Sequence, residues 1–199
     1  MQSTPPPTLD GFLEQAWTEI VRGVNDARHG FHQPVVATVG PDGSPRSRMV
    51  VLRQADVKGR WLRFHTDTRA SKVQELSRGV AWTFYDKGRR LQVRAFGPSG
   101  LADQARVDER WAASSAPSRK CYLVEPGPGT PLEAWSSGHD EWAGAVVPPL
   151  SRTEAGRAHF TVVETQVEQL EVLRVRREGH HRARYAWRDG SWQGTWVVP

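Results

Sequence analysis

From Pro34 to Pro199 the chain breaks repeatedly into short runs in which apolar and polar side chains alternate, and a Gly, Pro or Asp turn closes most of them. A period of two places one face of each run in a core and the other in water, which commits the chain to antiparallel β-structure. PVVATV (34–39) and RSRMVVLR flank the turn GPDGSP, and RWLRFHT (60–66) follows a turn at ADVKG. VAWTFYD and LQVRAFG flank KGRR as a hairpin. The tail supplies HFTVVET, EQLEVLRVRR, RARYAWRD and SWQGTWVVP, with turns marked by Glu178-Gly179 and Asp189-Gly190. About seven or eight strands with few helices predict a mainly β (α+β) fold, an antiparallel barrel closed so that its edges are paired.

Helices are few. LDGFLEQAWTEIVRGVNDA places Leu13, Trp17, Ile20 and Val24 at helical spacing, with Thr8 or Asp10 available as N-cap. RASKVQELSR and ADQARVDERWAA each predict a further short helix. Residues 1–7 read as a flexible Pro-rich leader and 8–199 as a single domain, within which the Pro-, Gly- and Ser-rich stretch 117–149 forms a long irregular excursion.

Charge narrows the partners. The net charge is +5 and the sequence pI about 9.9, which favours an anionic partner: nucleic acid, an anionic surface or a phosphorylated small molecule. No nucleic-acid motif is present and no run reaches the roughly 18 apolar residues of a membrane span, so neither nucleic acid nor membrane is expected as partner. The single cysteine, Cys121, excludes an internal disulfide framework and reads as a small buried side chain. The opening MQSTPPPTLD lacks the features of a secretory signal, and a cytoplasmic location is expected. His139, Asp140 and Glu141 are adjacent but lack the spacing of a zinc site, so no metal is expected.

The basic residues concentrate in RSRMVVLRQADVKGRWLRFHTDTRASKVQEL, Arg46 to Leu76. A phosphate monoester is best held by Arg or Lys together with hydroxyls and backbone N–H groups at a helix start. HTDTRASK offers Thr66, Thr68 and Ser71, the cations Arg69 and Lys72, and a helix beginning near Arg69 or Ala70; Arg48 on the neighbouring strand could close the same cradle. A solvated hairpin face is the plain alternative.

RMVVLR, the FHT of RWLRFHT, then SK, then LQVRAFG, in this order, resemble the flavin-binding signature of the pyridoxamine 5'-phosphate oxidase family, the FMN-binding split barrels. ERWAASSAPSR and the ending LEVLRVRREGHHRARYAWRDGSWQGTWVVP extend the resemblance to most of the chain. It implies an antiparallel split β-barrel with a few flanking helices, and a homodimer with the flavin at the subunit interface. Carried over residue by residue, it implies FMN contacts from Arg48, Met49, Val50, Val51, Leu52 and Arg53, from His65 with Thr66, from Ser71 with Lys72, and from Gln92 and Arg184. Arg48 and Lys72 would hold the phosphate, Gln92 the polar edge of the ring, and Met49 and Val51 its apolar back. A small-molecule substrate would meet Ser118, His181 and Arg182. Catalysis would be hydride transfer to the flavin followed by reoxidation with oxygen, and no catalytic acid or base is named.

Two features depart from the family pattern. Arg110 and Ser114 stand where the oxidases place the Tyr and Arg that grip the substrate phosphate, which implies a kept flavin site and a rebuilt substrate site. A non-catalytic flavin carrier or sensor is the alternative function, and a nucleic-acid-binding β protein, suggested by the basic hairpin and the many aromatics, stands behind it. Arg48 and Arg53 are also an odd number apart, so a regular strand would point them to opposite faces; either a bulge intervenes or Arg53 serves the substrate side.

Overall fold

The alternation in the sequence becomes burial in space. Strand β5 (Val80–Asp86) buries Val80, Trp82 and Phe84, and β6 (Leu91–Gly97) buries Leu91, Val93 and Ala95, while Tyr85, Arg94 and Phe96 face outward. The computed structural model describes residues 8–139 and 147–199; the leader 1–7, and Asp140 and Glu141 of the excursion, lie outside them.

The other strands are β1 (Val35–Val39), β2 (Pro45–Met49), β3 (Gln54–Asp56), β4 (Trp61–Asp67), β7 (Ser99–Leu101), β8 (Phe160–Gln166), β9 (Gln169–Arg174), β10 (His181–Arg188) and β11 (Ser191–Trp196). They form an antiparallel seven-stranded sheet in the order β11-β10-β9-β6-β5-β1-β2 and a four-stranded sheet in the order β3-β4-β8-β7. The expectation of a closed barrel is corrected here: each sheet keeps two edges, and the barrel is split. One apolar cluster fills the space between the sheets, drawing Leu62, Phe64 and Val163 from the smaller sheet and Val36, Trp82, Val93 and Val172 from the larger. Trp82 Nε1 donates across the gap to Thr165 Oγ1 at 3.0 Å.

Helix α1 (Leu9–Asn25) is capped by the Thr8 hydroxyl, which accepts from Gly11 N, and it buries Phe12, Ala16, Trp17 and Ile20 in that core. Its C-terminal half is fixed by a buried polar cluster. His29 Nδ1 accepts from Phe31 N at 3.1 Å, so Nε2 carries the proton and donates to Glu19 at 2.8 Å, and Arg89 joins Glu19 and Asp86. Helix α2 (Gln104–Ala112), capped by Asp103, and the short α3 (Ala116–Lys120) pack a second, smaller cluster of Val107, Trp111 and Tyr122 onto Phe160 and Val162. The excursion expected from 117 therefore begins only after α3.

Two further expectations fail. RASKVQELSR forms no α-helix but two single 3₁₀ turns, Ser71–Val73 and Leu76–Arg78. Cys121 is exposed, not buried.

Candidate functional site

The segment RMVVLR does not stay in one sheet, and the site follows from that. β2 ends at Met49, Val50 N and Leu52 N still bond Pro34 O and His32 O, and Arg53 N bonds Arg63 O on β4. The chain thus crosses from the large sheet to the small one between Met49 and Gln54. Arg48, in register with the fully buried Val36, turns to the inner face, whereas Arg53 leaves on the other side of the crossover. The odd spacing of the two arginines is resolved by a change of sheet.

Beside the crossover lies a groove of about 530 Å³ lined by Gln33, Arg48, Met49, Val50, Val51, His65, Thr66 and Lys72. Met49, Val50 and Val51 make it apolar on one side, and Arg48 and Lys72 make it cationic on the other. Arg48 is set by a buried carboxylate: Nη2 donates to Glu75 Oε2 at 3.0 Å and Nη1 to the Thr38 hydroxyl. Thr38 and Arg46 also donate to Glu75. Burial alone would raise the Glu75 carboxyl, but the hydrogen bonds from Thr38 and Arg48 and the Arg48 charge outweigh it and hold it below the usual range. Lys72 Nζ donates to Thr66 Oγ1 at 3.1 Å, and among the described residues no carboxylate ion-pairs with it. Burial and then the Arg48 charge push its ammonium below the usual lysine range.

A second, smaller cavity of about 260 Å³ adjoins the groove, since His65 lines both. Its other walls are Arg53, Arg110, Ala113, Ser114, Ser115 and Ser118. Arg110 Nε is buried without a hydrogen-bond partner. His65 packs edge-on against Phe160 at 4.8 Å, and burial, followed by the Arg53 and Arg110 charges, lowers its imidazole to about 4. It is neutral near neutral pH.

Several expected residues stand elsewhere. Leu52 is 1% exposed and its side chain belongs to the core, so only its backbone can face a ligand. Ser71 is exposed and does not line the groove. Arg69 is no part of a phosphate cradle: it is turned toward the excursion by Asp67, Glu125 at 2.7 Å and Val124 O at 3.0 Å. The helix start expected near Ala70 is a single 3₁₀ turn and supplies no array of free N–H groups.

Gln92, His181, Arg182 and Arg184 are also apart from the groove, on β6 and β10. Met49, Val35, Thr83, Arg94, Glu171 and Arg184 form one row across the outer face of the large sheet. Arg184 is five strands from Met49 along it, roughly 24 Å at ~4.8 Å per strand. Gln92 and Arg182 share the next row through Leu173. Glu171 accepts from Arg182 and Arg184, each at 2.9 Å. Gln33 and Ser115, which line the two cavities, and Thr38, which with Glu75 holds Arg48, are marked by no local pattern in the sequence, because long-range pairing brings them in.

The groove has the two kinds of surface that FMN needs. A half-buried ammonium beside a guanidinium, with a neutral hydroxyl as its partner, suits a dianionic phosphate, and the adjoining apolar wall suits a ring. The residues present fit the group.

Comparison with known proteins agrees. The family description "Pyridoxamine 5'-phosphate oxidase, FMN-binding domain" matches residues 14–102. The chain is 30% identical over 186 residues to a pyridoxine/pyridoxamine 5'-phosphate oxidase of Mycolicibacterium paratuberculosis, covering 88% of this chain and 70% of that one. It is 35% identical over 126 residues to the Caulobacter vibrioides protein of the same name, spanning 54% of that relative's length. Among solved structures, a pyridoxamine 5'-phosphate oxidase-related, FMN binding protein of Nostoc punctiforme superposes with a TM-score of 0.72 at 22% identity, covering 98% of this chain and 100% of that one. PhzG of Burkholderia lata, in complex with tetrahydrophenazine-1-carboxylic acid, gives 0.66 at 18%, covering 98% and 94%. At these identities the two structures speak to the fold.

Proposed function

The chain belongs to the pyridoxamine 5'-phosphate oxidase family of FMN-binding proteins, and from that premise we propose that it is an FMN-dependent oxidoreductase acting on a small anionic molecule. The observation that carries this reading is the junction of the two cationic cavities at His65. Bound FMN supplies two-electron redox chemistry. Arg48 and Lys72 hold its phosphate, and Met49, Val50 and Val51 back its ring. Arg53 and Arg110 hold the charged group of the substrate, with a hydroxyl donor from the Ser115–Ser118 pair; the Ser114 hydroxyl donates to Arg110 O at 2.7 Å. Arg110 Nε, buried without a partner, gains one in an anionic oxygen. His65, neutral between the cavities, adds no charge to the ring side of the site.

The site is completed by a second copy of the chain. What supports this is the division of the candidate residues into two sets on separate surfaces: Arg48, Arg53, His65, Lys72 and Ser118 around the crossover, and Gln92, His181, Arg182 and Arg184 across the large sheet. The outer face of that sheet also exposes Val35, Met49, Tyr85 and Phe96, an apolar surface suited to burial in a homodimer.

The test is oxygen consumption by FMN-saturated protein with pyridoxine and pyridoxamine 5'-phosphates, beside a screen of other small anionic amines. Arg110 and Ser114 change the phosphate grip of the named oxidases, so weak turnover of the pyridoxine phosphates is expected, with faster oxidation of another anionic donor. Efficiency of about 10⁴ M⁻¹s⁻¹ or above on pyridoxamine 5'-phosphate contradicts the rebuilt-substrate reading. No reduction of the flavin by any donor in the screen favours a carrier or sensor.

A further inference from the structure

The turn that carries Lys72 into the flavin groove is built around a buried carboxylate. Asp67, 6% exposed, ends β4 one residue after Thr66. Its Oδ1 accepts from Arg69 N at 2.8 Å, its carbonyl accepts from Ala70 N at 3.1 Å, and Ala70 O accepts from Val73 N at 2.9 Å. These bonds reverse the chain within a few residues, and the reversal lets Lys72 Nζ reach back to Thr66 Oγ1 at 3.1 Å. The same carboxylate is a liability. Its charge acts on the Lys72 ammonium, so an uncompensated anion at this point would repel the phosphate that Arg48 and Lys72 attract.

Arg69 supplies the compensation. Its Nε and Nη2 donate to the two oxygens of Asp67 at 3.0 and 2.8 Å, a two-pronged pair that a lysine could not make. The rest of the guanidinium is committed to the excursion: Nη1 donates to Glu125 at 2.7 Å and Nη2 to Val124 O at 3.0 Å. Gly127 packs so closely on the same side chain that a Cβ there would stand 3.1 Å from Arg69 Cδ and Nε. Arg69 is therefore held away from the groove, and the group it serves is Asp67.

We infer that Arg69 is a positioning residue of the phosphate site: without touching the flavin, it neutralises Asp67, so that the turn keeps its carboxylate acceptor and the phosphate beside Arg48 and Lys72 meets no free anion. The inference rests on the reading of that groove as the seat of the FMN phosphate. It assigns the excursion a part as well, since Val124 and Glu125 fix the far side of the guanidinium while Asp67 holds the near one. Because the effect is one of charge, it bears on the phosphate and not on the ring, and it separates FMN from riboflavin.

The experiment titrates FMN and riboflavin into the full-length protein at about pH 8, well above the carboxylate range, and reads the ratio of the two affinities. R69Q leaves Asp67 without its counter-charge and should weaken FMN about fivefold to tenfold, with riboflavin changed by less than about twofold. D67N/R69Q removes both charges, while the introduced amide keeps an oxygen for the N–H of residue 69, and it should recover most of the lost ratio. Equal loss of both flavins in R69Q, or no recovery in the double variant, overturns the proposal, because Arg69 then only braces the turn. An FMN preference left unchanged by R69Q overturns it too. Equal binding of the two flavins by the unsubstituted protein is a different failure: it removes the phosphate reading of the groove, and the role of Arg69 falls with it.

Discussion

His65 shows how little of a site's chemistry is written in a residue's name. The resemblance of FHT to the family pattern implies contact with a flavin, but the environment of His65 sets its charge: burial first, then Arg53 and Arg110, lower the imidazole from 6.5 to about 4. The unfolded chain takes up a proton as pH falls through 6.5 and the folded protein does not, so this group lowers stability progressively from about pH 6.5 to about pH 4. Above that window it contributes no pH dependence. A ¹H NMR titration should find the His65 ring neutral at pH 5.5, and sulfate bound between Arg53 and Arg110 should raise its midpoint. A midpoint near 6.5 without added anion would show that His65 is neither buried nor faced by the two guanidinium groups. Glu75 is the counterpart. It was legible only as one acid among many bases, yet Glu75→Gln removes the charge that fixes Arg46 and Arg48, and FMN affinity should fall about tenfold or more when measured by fluorescence quenching.

At the scale of elements, the alternation in β5, β6 and β10 was readable because each keeps one pair of neighbours along its length. RMVVLR was not, because the chain changes sheets within it, and local periodicity carries no record of a change of partner. RASKVQELSR failed as a helix for a related reason. Its chain must bring Lys72 to Thr66 and Glu75 to Thr38 within a few residues, and two 3₁₀ turns do this where a regular helix does not. The approach of the two sheets at Gly97 was equally hidden, since a Cβ there would stand 1.8 Å from Gln166 O. Thr165 joins the sheets through Trp82, and within its own sheet its hydroxyl pairs with that of Ser99 on β7. Thr165→Val leaves the buried indole N–H unpaired and should cost about 1–3 kcal/mol, read as a lower urea midpoint with unchanged slope. An unchanged midpoint would mean that the inter-sheet bond contributes nothing net.

For the whole molecule, the family resemblance reached further than residue-by-residue reasoning. It implied a split barrel and FMN, which the fold and the family relationship bear out, and it placed flavin residues on strands that lie far apart within one chain. A dimer would reconcile that separation, and light scattering at micromolar concentration should then report about twice the chain mass. Substituting the exposed Phe96 with Glu on the outer face should release monomers and weaken FMN together; tight FMN binding by a monomer would assign the complete site to one chain.

If the groove between Arg48 and Lys72 is built for the phosphate of FMN, that phosphate should carry much of the binding. Calorimetric titration of the same protein with FMN and with riboflavin measures that phosphate alone. Two charge-assisted contacts, each contributing about 1.5–3 kcal/mol, predict FMN tighter than riboflavin by on the order of a hundredfold or more, and most of that difference should vanish in Lys72→Ala. Equal affinity for the two flavins, or an FMN preference unchanged in Lys72→Ala, would contradict the account.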